Sequence, residues 1–160
     1  VVSGARSAER FPGDQFCGIL PAKLREGTAM EFLNVIAAAL AAFAFGAVWY
    51  MSMSKPWMDA AEIKLGPDGR PANSSDKMPF VVGLVGMLLA AGMMRHIFTM
   101  TSIDTVGEGF TAGLGIGAFS VMPWVAMNYA FGQRKFMLTV IDGVNVIVGC
   151  GIIGLVLMLF

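Results

Sequence analysis

Four long apolar blocks constrain this chain more than any other feature: residues 32–51, 79–100, 109–131 and 136–160. Each is close to the roughly 20 residues that a helix needs to cross the hydrocarbon of a bilayer. A soluble core of this size has no use for such runs, whereas lipid admits only backbones that satisfy their own hydrogen bonds. With 56% hydrophobic and 14% charged residues, the composition agrees. The expected fold is an all-α integral membrane four-helix bundle, two transmembrane hairpins in contact with the lipid bilayer. A formal net charge of zero offers no basic face for nucleic acid.

Residues 1–29 stand apart. They are polar, carry Pro12-Gly13 and the basic Arg6, Arg10, Lys23 and Arg25, and precede a natural start at Met30. A disordered extension or upstream translation is expected there, with the transmembrane domain at 30–160. The first span closes on Trp49-Tyr50, amphipathic rings suited to a headgroup boundary. Ala38, Ala42 and Gly46 recur every fourth residue along it, a small-residue stripe that admits another helix closely. The polar connection at 52–78 reads as a loop broken by Pro56, Pro67, Gly69 and Pro71, with a short surface helix around Trp57-Met58.

Proline at position 79 opens the second span, where its missing N–H costs little. Gly83, Gly86, Ala90 and Gly92 narrow one side of it. On the third span Gly109, Gly113 and Gly117 form a second stripe, and Pro123 is expected to bend the helix.

Orientation follows from the basic residues near span ends. Lys55, Lys64, Arg70 and Lys77 in the first-to-second connection share a side with Arg134 and Lys135 in the third-to-fourth. Those connections are expected in the cytoplasm of a bacterial inner membrane, with both termini outside. A faint repeat also links Ala47-Val48-Trp49-Tyr50 to Ala126-Met127-Asn128-Tyr129, each ending a span.

Ionisable and amide groups inside spans are expensive and need a reason. Asp142 lies six residues into the fourth span, about 9 Å along its axis. Asn145 follows on the same face, and Asn128 ends the preceding span on the same side of the membrane. The first reading of Asn128, Asp142 and Asn145 is an interhelical clamp, with Asn128 donating to Asp142 and Arg134 or Lys135 reaching it from the boundary. The second is a small polar pocket that binds a ligand or relays a proton. Near the opposite face, Arg95, His96, Asp104 and Glu108 form another cluster, read as interfacial anchoring with the acids neutralising Arg95. Clusters at opposite faces give no continuous polar path.

Met93, Met94, His96 and Met100 are soft groups suited to Cu(I). The 13 methionines show no repeated ligand spacing, however, and methionine is an ordinary filler of apolar gaps. Neither a metal nor a cofactor is expected. No nucleophile elbow, phosphate loop or two-histidine motif appears, and His96 is the only histidine; the chain reads as non-enzymatic.

Several short motifs resemble a bacterial membrane-protein family catalogued as domain of unknown function (DUF) 1761. They are Phe32-Leu33-Asn34-Val35, then Gly46-Ala47-Val48-Trp49-Tyr50 with Pro56-Trp57-Met58, and Asn128-Tyr129-Ala130-Phe131 with Ile141-Asp142. The resemblance implies four membrane helices over roughly Met30 to Phe160 and brings no activity. The functional expectation is a protein acting by helix–helix association, as a homo-oligomer or an accessory subunit of a membrane complex. The alternative is a small transporter or ligand-binding protein that uses the Asp142 cluster.

Overall fold

The computed structural model describes residues 22–159 apart from Asp68, with side chains from Met30 onward. Most of the stretch expected to be a polar extension lies outside the described residues. In chain order the elements are α1 (Ala22–Ser52), α2 (Ser54–Ala60), α3 (Met78–Thr99), α4 (Val106–Ile116), a π-turn (Gly117–Val121), α5 (Met122–Phe131) and α6 (Phe136–Leu157). Four stretches are long and apolar enough to cross a membrane: Met30–Ser52, Met78–Thr99, Val106–Phe131 and Phe136–Leu157. The third of these comprises α4, the π-turn and α5. Each lies within a few residues of its apolar block.

α6 is the hub. It packs against α1, α2, α3, α4 and α5, and it is far more buried than the other spans. On one side Ala38, Ala39 and Ala42 of α1 meet Ala91, Met94 and Phe98 of α3 and Ile153 and Leu157 of α6. Large apolar groups point outward elsewhere, among them Phe80 and Leu89 of α3 and Phe119, Trp124 and Phe131 of the third span. Water would penalise such a surface, at roughly 25 cal/mol per Å². Lipid does not.

The glycine stripe of the third span is used within the chain. Gly109, Gly113 and Gly117 are buried against α6 at Gly154, Cys150-Gly151 and Val146-Ile147 in turn. A Cβ on Gly117 would stand 2.7 Å from the Ile147 Cα, and one on Gly113 would be 2.9 Å from the Cys150 carbonyl carbon. Only hydrogen atoms fit between these backbones, which is the close approach that small-residue stripes permit.

Pro123 leaves its mark upstream as a π-turn. Proline offers no N–H, and its ring crowds the carbonyl four residues back, here Phe119. The chain widens, and the Met122 N–H bonds to the Gly117 carbonyl five residues back. A π-turn inserts one extra residue into a helix, so every later side chain is rotated by about 100°. Continuing the face of Gly113 and Gly117 with ordinary α spacing leads to Val121, Trp124 and Asn128, all exposed. The inserted residue brings Met122 and Tyr129 onto α6 in their place, with the Met122 side chain over Gly143.

The ends of the elements are set by local chemistry. Thr105 and Glu108 form a capping box: the Thr105 hydroxyl accepts from the Glu108 N–H, and the Glu108 carboxylate accepts from the Thr105 N–H. That starts α4 at Val106. α2 and α5 both finish on a residue with positive φ, Glu62 at 56° and Gln133 at 53°. In each, the next N–H reaches five residues back, Ile63 to the Met58 carbonyl and Arg134 to the Tyr129 carbonyl, the helix ending in which a left-handed residue satisfies the last carbonyls.

Candidate functional site

The last turn of α1 carries Trp49 and Tyr50, and one residue beyond Ser52 the chain folds back into α2. Pro56 falls in the first turn of α2, where no intrahelical donor is required. This sets Trp57 over the end of α6. From the other side the π-turn has rotated Tyr129 inward. Tyr50, Trp57 and Tyr129 converge on Asp142. The Tyr50 hydroxyl donates to Asp142 Oδ1 at 2.8 Å, the Trp57 indole N–H to the same oxygen at 3.1 Å, and the Tyr129 hydroxyl to Oδ2 at 2.6 Å. The Tyr50 and Trp57 rings meet edge to face with centroids 5.6 Å apart. Trp49 donates to the carbonyl of Ile141, one residue before the aspartate, at 3.0 Å.

Asp142 is 8% exposed and Asn145 is 7% exposed. All three of Asp142's partners donate, so its carboxylate acts only as an acceptor. The 2.6 Å contact falls in the range of charge-assisted O–H···O⁻ bonds. Among the described residues no basic side chain pairs with it. Lys135 instead turns to α2, where its Nζ donates to the Asp59 carbonyl at 2.9 Å and meets the Asp59 carboxylate at 3.3 Å. Asn145, beside Tyr50, keeps a buried Oδ1 with no donor. This oxygen lies 3.4 Å from where a side chain on Gly46 would begin.

The clamp partners expected from the sequence are therefore not the ones found. Asn128 is exposed and makes no side-chain hydrogen bond among the described residues, while its backbone carbonyl accepts from the Gly132 N–H that caps α5. Tyr129 stands in its place, the neighbour that the π-turn selects. In sequence Tyr50 and Tyr129 look like headgroup anchors, as aromatic rings at span ends do, and Trp57 looks like part of a surface helix.

The opposite end is also rearranged. Arg95 does not pair with Glu108, whose carboxylate is taken by the Asp104 and Thr105 N–H groups. Its guanidinium lies 3.7 Å from Glu31 and reaches the Leu157 carbonyl at 3.4 Å. Asn34 donates to that same carbonyl at 2.9 Å. Leu157 is the last residue of α6, so two polar side chains, one cationic, serve its helix C-terminus. Arg95 and Asp104 do share the lining of a cavity of about 280 Å³ with Thr99, Thr101 and Met158. His96 is exposed. Among the described residues no three His, Cys, Asp or Glu side chains are grouped to share a metal ion.

Four apolar spans, outward faces suited to lipid and a carboxylate sunk near one end of the central helix are the marks of a multi-pass helical membrane protein. Residues 33–158 match the family described as Protein of unknown function (DUF1761), and the chain belongs to that family. No curated protein and no solved structure matches it.

Proposed function

We propose that this is a non-enzymatic protein of a bacterial inner membrane that binds or carries a small solute at Asp142, its basic connections facing the cytoplasm and its termini the other side. The observation that carries the reading is the state of Asp142: a buried carboxylate with three neutral aromatic donors and no basic partner among the described residues. A clamp needs only mutual hydrogen bonds, and an amide or hydroxyl in place of the acid provides them without charge. Retaining a charge where it costs several kcal/mol fits a group that meets a ligand. The histidine, the most versatile acid–base residue in the chain, is exposed at the far end of α3, which favours binding over catalysis.

Association as a homo-oligomer or accessory subunit draws less support. Two of the stripes that suggested it, Ala38 with Ala42 and the three glycines of the third span, face partners inside the same chain, while Gly86 and Gly92 of the second span have nothing within 4 Å of an added Cβ.

The test is mass spectrometry of small molecules retained by purified wild-type protein and by Asp142→Asn at matched membrane abundance. A solute held by the wild type and missing from the variant is the expected result. Identical retained sets overturn the reading.

A further inference from the structure

We propose that the Asp142–Asn145 face of α6 holds a monovalent cation, either sodium or a proton, within the solute site proposed above, on which this inference rests. The cluster is short of one positive charge and has one unused acceptor. Tyr50, Trp57 and Tyr129 are neutral, so they solvate the Asp142 carboxylate without cancelling its charge. An ionised carboxylate has about four acceptor positions. Oδ1 receives two hydrogen bonds and Oδ2 one, which leaves a position on Oδ2.

Three residues further along the same helical face, Asn145 Oδ1 is buried without a donor. Buried polar atoms are almost always paired, and an orphan asks for a missing partner. A cation between the two residues answers both deficits, as an oxygen-ligated sodium ion or as a proton on Asp142 shared toward the amide oxygen. One carboxylate balances one positive charge, so a divalent ion would leave a net charge buried.

Titratable or charged groups near the site come from α1, α2, α5 and the turn before α6. Tyr50 lies on α1, Lys55 and Asp59 on α2, Tyr129 on α5, and Arg134 and Lys135 in the turn before α6. The ionisable groups of α3 and α4, Arg95, His96 and Glu108, belong to the far ends of their spans.

The test uses the full chain in lipid nanodiscs. One arm measures binding of radioactive sodium at constant ionic strength. The other follows tryptophan emission against pH in a Trp124→Phe background, which leaves Trp49 and Trp57, both bonded to the Ile141-Asp142 stretch. A sodium site gives saturable binding that is lost in Asp142→Asn and weakened about tenfold or more in Asn145→Ala. A proton site gives no sodium binding but a pH-dependent change in emission. That change disappears in Asp142→Asn and shifts along the pH axis in Asn145→Ala. Absence of both responses in the wild type overturns the proposal, and so does either response left unchanged in Asn145→Ala. If Asp142→Asn does not fold, the Asn145→Ala comparison decides alone by the same criteria. Failure here with Asp142-dependent solute retention intact removes the cation and leaves the solute site standing.

Discussion

Tyr50 and Tyr129, which lie near the ends of the first and third spans, donate to opposite oxygens of the same carboxylate, Tyr50 to Oδ1 and Tyr129 to Oδ2 of Asp142. The two tyrosines occupy matching places in the short repeat Ala47-Val48-Trp49-Tyr50 and Ala126-Met127-Asn128-Tyr129. Two hairpins thus present the same phenol to one acid on the central helix.

Removing either phenol leaves a buried charge with fewer donors. Tyr129→Phe is expected to lower stability by about 1.5–3 kcal/mol, the range for hydrogen bonds to charged groups. Its cost is expected to fall in an Asp142→Asn background, because a neutral amide needs the phenol less. Unfolding in mixed micelles, measured for both single variants and the double variant, gives the coupling directly.

The seam between α4 and α6 makes a sharper prediction. Gly113→Ala or Gly154→Ala places a Cβ against backbone that no side-chain motion can clear. Overpacking of this kind costs about 1–3 kcal/mol. Gly115→Ala, on the same helix but with open space at its Cβ, is expected to cost nothing measurable. The same unfolding assay separates them.

Rotation by the π-turn is testable by length. Deleting Ser120 while replacing Pro123→Ala removes the extra residue and the reason for it, and keeps both Gly117 and Tyr129 facing α6. That variant is expected to fold with its polar site intact. Deleting Ala126 instead moves Ala130 into the position of Tyr129 and turns the phenol away. Abundance in the membrane and retention of the solute distinguish the two deletions; equal behaviour contradicts the register argument.

Asn128→Ala is expected to change stability by no more than about 0.5 kcal/mol, as for other exposed positions, and to leave solute retention unchanged. Asn34→Ala removes a buried bond to the Leu157 carbonyl at the other end of the spans. Interhelical hydrogen bonds in membranes average about 0.6 kcal/mol with a maximum near 1.7. The upper part of that range is expected, since Arg95 holds the same carbonyl only at 3.4 Å.

The spans were readable because hydropathy needs no knowledge of which face points where. Faces are another matter. Asp142 and Asn145 were legible as costly groups on the fourth span, and Gly109, Gly113 and Gly117 as a packing stripe. In sequence Asn128 is the natural partner because it ends the third span on the same side as Asp142, and the insertion that Pro123 induces, which turns Tyr129 inward instead, is invisible to simple periodicity. Trp57 reaches Asp142 only because α2 folds back, a tertiary fact with no local pattern. The start of α4 did carry a local signature in Thr105-Val106-Gly107-Glu108, the spacing of a capping box.

Whether Asp142 serves a ligand or merely ties helices together is decided most directly by the unfolding free energy of Asp142→Asn in lipid. A carboxamide oxygen accepts from Tyr50 and Trp57, and its N–H meets the Tyr129 oxygen, so the ties survive while the charge is lost. Stability within about 1 kcal/mol of wild type, or above it, is the expected result. A loss of about 3–5 kcal/mol, the scale of breaking a required buried pair, contradicts it and makes Asp142 a structural residue.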